Sequence, residues 1–399
     1  MKPIPGGQLA LQDIIGRNAL VEELQGTLAT QSVLMVAERR VGKTHVLTKF
    51  KAQAPHDWIV VYRDMSAIRS AAEFVQNVME DLYPHLKAQT NFRNWLQGLG
   101  EQMGGTQLGP VKLPSIAPKH WKRVLGEAIE HLEAQDSAKC VVFLWDELPW
   151  MLQAIAQTNP QDAMELLDTL RTLRQRQATK LRMVFTGSLG LHHIVRVLKT
   201  LGYNNTPVND MFTLEVPALD LPDARDLLKR LFDDNQLQIA DPKDFDTIAN
   251  SLDCLPFYIH HLVAALLKAP ATSRPPLEWA HIEKVITQGI HSINNPWDLQ
   301  HYEERTLPYY GAQRGEALAL LDAVASASQP LTMKETMQRA KASAPATDEQ
   351  QWRELTRLLE RDHYFVRSEA NTLRFKFSVV QRWWIWNRGL QMAQTGASA

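Results

Sequence analysis

The segment SVLMVAERRVGKTHVL, Ser32–Leu47, joins an apolar run to a Gly-Lys-Thr turn. The apolar run is typical of a buried strand, and the residues after the turn follow a helical pattern. A strand, a loop and a helix in this order match the phosphate-binding pattern G-x-x-x-x-G-K-[ST], in which backbone N–H groups and a lysine hold phosphate oxygens. Ala37 occupies the position of the first glycine. Alanine is tolerated at this position if its dihedral angles lie where L-residues are allowed. The segment as a whole therefore predicts a nucleotide site.

Apolar runs alternate with amphipathic stretches along residues 1–218. Strands are predicted at SVLMVA, WIVVYRDM, CVVFLWDE and LRMVFTGS, with helical patterns between them. Continuous apolar strands separated by helices indicate a parallel sheet that is covered by helices on both faces. Glycines and prolines at about residues 97–118 interrupt the alternation and predict an irregular insertion. The fold class predicted for residues 1–218 is therefore α/β.

The rest of the chain is predicted to be mainly helical. Residues 219–290 show only helical patterns, and we interpret them as a helical lid. A linker at residues 291–312 precedes a unit at residues 313–399, where three helical patterns and a hairpin predict a winged helix. Trp383, Trp384 and Trp386 lie in its last segment. We expect them to be mainly core residues, with any exposed indole marking a protein interface.

Composition excludes several classes of protein. The formal net charge is -1, which argues against a polybasic nucleic-acid or membrane binder, although a local basic patch stays compatible with it. The two cysteines, Cys140 and Cys254, are predicted to be buried thiols without a disulfide. No apolar run approaches the length of a membrane span, so we expect a cytoplasmic protein without a membrane partner.

Two adjacent acids end the apolar run CVVFLWDEL, Cys140–Leu148. Ligands bind at the carboxyl ends of strands in open parallel sheets. Asp146 and Thr44 are therefore predicted to hold Mg²⁺, Lys43 to bind phosphate and Glu147 to polarise the attacking water as general base. A solvated acidic pair at a strand end is the alternative explanation.

The next predicted strand ends in Thr186, Gly187 and Ser188. A polar residue at this place contacts the γ-phosphate or the attacking water in related ATPases, so Thr186 and Ser188 are candidate catalytic residues. An ordinary cap at the start of the following helix explains them equally well.

Several features occur in the order seen in one ATPase family: IIGRNALVEEL, the Arg-Arg-Val-Gly-Lys-Thr loop, the Asp-Glu strand, the Gly-Ser strand end, DCLPFYIHHL and the winged helix. Over nearly its whole length the chain resembles the archaeal-type ATPases of the STAND branch of AAA-like P-loop proteins, relatives of origin-recognition ATPases. The resemblance implies a P-loop NTPase sheet of the AAA-like ASCE type, ATP or ADP as ligand, and Mg²⁺.

The resemblance also implies nucleotide contacts. Gly16, Arg17 and Pro256 match elements near the adenine, with Cys254 in place of the usual glycine and Asn18 in place of the usual acid. The arginine that many relatives carry before the last core strand is missing from PVNDMFTLEV. The loop residues expected to contact the nucleotide are Arg39, Arg40, Val41, Gly42, Lys43, Thr44 and His45.

Basic residues recur in the carboxyl-terminal unit. Arg353, Arg357 and Arg361 are spaced four apart on a predicted helix, and Arg374 and Lys376 lie near the presumed wing. A winged helix that binds DNA uses its third helix and its hairpin, so these five residues are candidate contacts to duplex DNA or to a protein partner. Acidic residues lie among them, and a solvated helix with ion pairs explains the mixture as well.

The function predicted first is an ATP-binding, slowly hydrolysing regulatory ATPase, a nucleotide-dependent switch that acts on a protein partner or effector. No effector motif occurs in the chain, and bacterial relatives with this layout resemble components of defence or stress systems. One alternative is a DNA-binding ATPase of the initiator or transposition-loader type, and another is a nucleotide-bound scaffold that does not hydrolyse. Each is compatible with a homo-oligomer.

Overall fold

The computed structural model describes residues 1–86, 88–103, 105–108, 111–114, 120–134, 140–177, 179–188, 190–268, 275–344 and 348–392. Contacts divide the chain into two compact units. The sheet unit comprises Arg17–Ala37 and Lys43–Val216. The carboxyl-terminal unit comprises Met1–Gly16, Glu38–Gly42 and Pro217–Ala399. The middle of the predicted phosphate loop therefore has its main contacts in the carboxyl-terminal unit.

Parallel strands form the main sheet of the sheet unit. The strands are β1 (Val33–Val36), β2 (Trp58–Asp64), β3 (Gly105–Leu108), β4 (Val111–Pro114), β5 (Cys140–Asp146), β6 (Leu181–Phe185) and β7 (Phe212–Glu215). The main sheet has the order β2-β5-β6-β1-β7, and each neighbouring pair is parallel. Every residue of β5 is buried, which requires cover on both faces of the sheet. The predicted parallel α/β sheet is confirmed.

Helices of the sheet unit follow the predicted alternation. They are α1 (Asn18–Leu28), α2 (Lys43–Gln53), α3 (Ala71–Leu86), α4 (Thr90–Met103), α5 (Trp121–Glu133), α6 (Leu148–Thr158), α7 (Pro160–Arg174) and α8 (Leu191–Thr200). Trp145 stacks on Phe143 and Phe185, with ring centroids 5.0 and 5.9 Å apart. Phe74 of α3 meets the Trp145 ring edge-on at 5.1 Å. These aromatic contacts hold the ends of β5 and β6 side by side.

The segment predicted as an irregular insertion has regular structure in its described part. Helix α4 continues to Met103, and β3 pairs antiparallel with β4, with Gly105 opposite Pro114. Residues 104, 109–110 and 115–119 lie outside the described residues. The described part of this stretch therefore contains a helix end and an antiparallel pair of strands.

The part of the carboxyl-terminal unit that follows the sheet unit in the chain starts with helices. They are α9 (Leu221–Asp234), α10 (Asp244–Ser251), α11 (Pro256–Leu266) and α12 (Trp279–Ile290). In the described part of residues 219–290, the β-type pairing is one isolated bridge between Ile239 and Leu277. The N-terminal residues 1–16 belong to this unit, where Arg230 of α9 forms an ion pair with Asp13 at 2.9 Å.

The remaining elements of this unit end in a small sheet and a helix. They are α13 (His301–Glu304), α14 (Thr306–Tyr310), α15 (Arg314–Ala325), β8 (Leu331–Thr332), α16 (Met333–Ala340), α17 (Glu349–Arg361), β9 (Phe365–Arg367), β10 (Thr372–Phe375) and α18 (Ser378–Asn387). The small sheet has the order β8-β10-β9. Asn371, with φ of 60°, lies in the turn between β9 and β10. Three helices and a hairpin thus occur in the order expected of a winged helix.

The tryptophan-rich segment forms α18. Trp383 and Trp384 are buried, and the Trp384 indole N–H donates to Asp322 Oδ1 at 2.8 Å. Trp386 is 37% exposed and stacks on His291 with ring centroids 5.3 Å apart. Two of the three indoles are therefore core residues, as the sequence predicts, and one is partly exposed.

Two further expectations concern the cysteines and the membrane. Both cysteines are free thiols, and Cys140 is buried, but Cys254 is partly exposed, so the predicted burial is wrong for Cys254. Cys254 lies just before α11 in a turn, where solvent reaches it. Among the described helices, none has both the length and the apolar character to cross a bilayer.

Candidate functional site

The loop between β1 and α2 has the backbone that a phosphate-binding loop needs. Gly42 has φ of 99°, which only glycine adopts without strain, and Arg40 has φ of 71°. Ala37 is not among the residues with positive φ, so an L-residue fits there. The replacement of the first glycine by alanine is therefore compatible with the loop.

Lys43 and Thr44 open α2 at the carboxyl end of β1. The Lys43 ammonium donates to the Ala37 carbonyl at 3.2 Å and so spans the two ends of the loop. The Thr44 hydroxyl donates to Asp146 Oδ2 at 2.8 Å. Two residues that the sequence separates by 102 positions are thus in direct contact. The structure brings the phosphate-loop threonine and the distant acid together, as the predicted magnesium site requires.

Asp146 ends β5 and is 4% exposed. Burial raises the pKa of its carboxyl, and the Thr44 hydrogen bond and the Lys43 charge oppose that rise. Tyr62 also directs its hydroxyl to Asp146 Oδ2 at 3.5 Å, a contact that the sequence did not indicate. A threonine hydroxyl and a carboxylate are oxygen ligands of the type that Mg²⁺ prefers, so these two residues fit the ion.

Glu147 has a conformation fixed by its neighbours. Its φ is 56°, and it caps α6 as the residue before Leu148. Its Oε2 accepts the Ser188 N–H at 3.0 Å and the Ser188 hydroxyl at 2.9 Å. The Trp150 indole N–H in turn donates to Ser188 Oγ at 3.0 Å. Burial raises the pKa of the Glu147 carboxyl, with the bonds from Ser188 opposing it, and a raised pKa suits a general base.

The two candidate residues after β6 have different surroundings. Ser188 holds Glu147, whereas α8 begins later, after Gly190, without a side-chain cap. The helix-cap explanation therefore fails for Ser188. Thr186 is 2% exposed, and its hydroxyl oxygen has no hydrogen-bond partner among the described residues. A buried hydroxyl without a partner beside the two acids is a site for an additional polar group.

Two of the residues expected near the adenine, Gly16 and Arg17, have positive φ. Gly16 has φ of 67° and Arg17 has φ of 70°. A Cβ on Gly16 would lie 2.2 Å from Asp223 Oδ2 of α9, so the Asp223 side chain would have to shift, and the positive φ adds backbone strain. Pro256 is the first residue of α11, and Cys254 before it has φ of 52°. This positive φ explains why glycine suits the position of Cys254 in relatives.

Arg39 and Arg40 of the loop have contacts within the carboxyl-terminal unit. The Arg40 guanidinium donates to Asp298 Oδ2 at 2.6 and 3.1 Å and lies 4.5 Å above the Phe257 ring. Arg39 approaches the same carboxylate at 3.9 Å. Val41 is buried, and His45 is half-buried in the first turn of α2. Arg40 is therefore engaged by an aspartate that the sequence analysis did not identify.

The basic residues of the carboxyl-terminal unit fall into two groups. Arg353 and Arg357 of α17 line a cavity of about 560 Å³ between α16, α17 and the hairpin. The other residues lining it are Thr332, Met333, Lys334, Met337, Glu360, Arg367 and Asn371. Arg361 is exposed outside the cavity, Arg374 donates to the Phe375 carbonyl, and the Lys376 ammonium lies 3.0 Å from His363 Nδ1.

Comparison with known proteins establishes the fold. No protein-family model matches the chain, and no curated protein matches it. The chain is similar to the Walker-type ATPase PABY2304 of Pyrococcus abyssi, with 15% identity and a TM-score of 0.62 over 94% of this chain and 96% of that one. It is also similar to ORC2 of Aeropyrum pernix, solved as ADPNP–ADP complexes, with 13% identity and a TM-score of 0.52 over 97% and 96% of the two chains. The predicted P-loop ATPase fold, related to that of origin-recognition ATPases, is confirmed.

The Gly16→Ala substitution tests the tight turn before α1. We expect it to lower the free energy of unfolding by about 1–3 kcal/mol, because φ is positive and the new methyl group would meet Asp223. Gly26→Ala is the matched control, since a Cβ there meets nothing within 4 Å and Gly26 lies inside α1. Urea unfolding measures both. A Gly16→Ala protein as stable as Gly26→Ala would contradict the steric assignment.

Proposed function

We propose that the chain is a magnesium-dependent ATPase that hydrolyses ATP slowly and acts as a nucleotide-dependent switch on a protein partner. The observation that carries the proposal is the bond from Thr44 to Asp146, with Glu147 beside it. It joins the end of the phosphate loop to the acid at the carboxyl end of β5. The similarity in fold to ORC2, solved with ADPNP and ADP, supports an adenine nucleotide as the ligand.

The residues of the site divide the chemistry between them. Backbone N–H groups at the start of α2 and the Lys43 ammonium bind phosphate oxygens. Thr44 and Asp146 hold Mg²⁺, which neutralises charge on the phosphates when it is bound. Glu147 orients a water molecule and accepts its proton as the water attacks the γ-phosphorus and ADP leaves. Thr186 has a buried hydroxyl without a hydrogen-bond partner among the described residues, which suits contact with this water or with the γ-phosphate.

We expect slow ATP hydrolysis because of the hydrogen bonds that Glu147, the proposed general base, already accepts. Glu147 already accepts from the Ser188 N–H and the Ser188 hydroxyl, so part of its capacity to accept a proton from water is used. The Ser188 hydroxyl is itself held by Trp150. A partner that shifts Ser188 or Trp150 would free the carboxylate and speed hydrolysis. Trp150 is 47% exposed and therefore accessible to such a partner.

A switch requires that the nucleotide affect a second part of the chain. Loop residues Glu38–Gly42 belong to the carboxyl-terminal unit, and Arg40 bonds to Asp298 there. A population shift requires that nucleotide bind one state of the chain more tightly than another, and we propose that the contact from Arg40 to Asp298 differs between those states. The role of switch therefore has a physical basis in the loop itself.

Three substitutions test the enzyme. We expect Lys43→Ala to weaken ATP and ADP binding at least about tenfold, because it removes the ammonium at the phosphates. Glu147→Gln should bind ATP normally and lower steady-state hydrolysis by about 10²-fold or more, because the base is lost. Lys51→Ala, an exposed lysine on the same helix, is the control and should behave as wild type.

The measurements are fluorescent-nucleotide titration and phosphate release. Wild-type affinity in Lys43→Ala would contradict the site assignment. Binding without any hydrolysis above the Glu147→Gln background would favour the scaffold that does not hydrolyse.

A second candidate function is binding of duplex DNA. The observation that favours it is the cavity where Arg353, Arg357, Lys334 and Arg367 converge. Four cationic side chains around one opening suit contact with phosphate oxygens. Two of them, however, form ion pairs: Arg367 with Glu360 at 2.7 Å and Arg353 with Glu349 at 3.5 Å. These acids reduce the positive charge and make a protein partner the leading choice.

Arg357→Ala tests the DNA hypothesis. If duplex DNA binds at the cavity, the change should weaken affinity at low salt and reduce the slope of log K against log salt by about one. Arg361→Ala on the same helix is the control, because Arg361 lies outside the cavity. Fluorescence anisotropy with a labelled duplex measures both. Affinity that is equal for the two variants, or absent in wild type, would exclude this function.

A further inference from the structure

Glu38, an acidic residue, occupies the second position of the phosphate loop, and its side chain is only 1% exposed. Negative charge at this place opposes the negative charge of a bound phosphate. Burial without a partner would also be costly for a carboxylate. The loop therefore needs a cation close to Glu38 if it is to bind a nucleotide.

Arg305, between α13 and α14, supplies that cation. Its Nη1 donates to Glu38 Oε1 at 2.8 Å and its Nη2 donates to Oε2 at 3.0 Å, a bidentate pair. The Arg39 N–H donates to Glu38 Oε1 at 2.7 Å. The Arg305 charge holds the pKa of Glu38 below its usual range against burial. The carboxylate and the loop backbone next to it are thus held by one guanidinium.

Arg305 is itself held rigidly. Its Nε donates to the Tyr364 hydroxyl at 2.9 Å, and its Nη2 donates to the Asp362 carbonyl at 2.9 Å. The guanidinium lies 4.6 Å from the centroid of the Tyr302 ring and 4.3 Å from that of Tyr364. Tyr364 lies immediately before β9, so the contact extends from the loop to the segment after α17.

Stability alone does not account for this arrangement. A buried ion pair gives little net stability relative to apolar residues of the same volume, so an apolar pair would hold the two segments together as well. A buried charge pair instead fixes one specific geometry, and it balances charge where a ligand is charged. In a phosphate loop the balance of charge affects the ligand directly.

We propose that Arg305 is a positioning residue of the nucleotide site: it neutralises Glu38 and fixes the loop so that nucleotide binds only when the 301–305 segment is in place. The inference rests on the proposed nucleotide binding and concerns its regulation. By linkage, nucleotide stabilises the contact of this segment with the loop to the same extent. A partner that displaces the segment would release nucleotide.

The test is a double-substitution cycle with ADP in fluorescence titration. Arg305→Gln should weaken ADP binding at least about tenfold, because it removes the cation that offsets the Glu38 charge beside the phosphates and that fixes the loop. Glu38→Gln should bind within about threefold of wild type. The double variant Glu38→Gln, Arg305→Gln should return to within about threefold of Glu38→Gln, since no uncompensated charge remains. This recovery is a result that a purely structural role would not produce.

Arg388→Gln is the matched control. Arg388 also forms a bidentate ion pair, with Asp322 at 2.7 and 2.9 Å. It is the residue that follows α18 and belongs to the same unit as Arg305. We expect it to leave ADP affinity unchanged. Urea unfolding without nucleotide reports the stability of each variant, so that loss of fold is separated from loss of binding.

The outcomes separate the two proposals. Lack of ADP binding by wild type would overturn both the proposed function and this inference. Normal binding by wild type and loss in Lys43→Ala, with normal binding in Arg305→Gln, would overturn this inference alone. Equal weakening in Arg305→Gln and in the double variant would also overturn it. If Arg305→Gln does not fold, the ADP affinity of the double variant tests the proposal instead. A double variant that folds but binds ADP more than tenfold more weakly than Glu38→Gln contradicts the proposal.

Discussion

Parallel pairing of β1 with β6 and of β6 with β5 is the constraint on which the site depends. It places the ends of the three strands at one edge of the sheet, and the loop before α2, Asp146 and Thr186 follow those ends. Trp145 stacks between Phe143 and Phe185 and keeps β5 and β6 in register. The bond from Thr44 to Asp146 results from this order of strands.

Much of the sheet and its chemistry is predictable from the sequence, because both depend on local patterns. Continuous apolar runs identify strands buried on two faces, and the acids that follow them lie at the edge where ligands bind. The roles proposed for Thr44 and Asp146 come from this reasoning, and their contact follows from the parallel order of the strands. Gly42 is required by its φ, which the motif anticipates.

The partners of the loop were not predictable, because they depend on long-range packing. Glu38 meets Arg305 across 267 positions and Arg40 meets Asp298 across 258, and no periodicity or spacing marks such pairs. The same is true of Ser188: its position after β6 fits a helix cap or a catalytic residue, while its hydrogen bonds show that it holds Glu147. Cys254 is predicted to be a buried thiol, yet it occupies a partly exposed turn with positive φ.

The proposed function depends on binding of a nucleotide with Mg²⁺ by the loop between β1 and α2. Isothermal titration of the wild-type chain, freed of nucleotide, with ADP and then ATP measures this binding, with Mg²⁺ and with EDTA in parallel. We expect saturable binding of one nucleotide per chain that is weaker in EDTA, because EDTA removes the ion proposed to lie at Thr44 and Asp146. No saturable binding at millimolar nucleotide, or an affinity that does not depend on Mg²⁺, would show the proposal to be wrong.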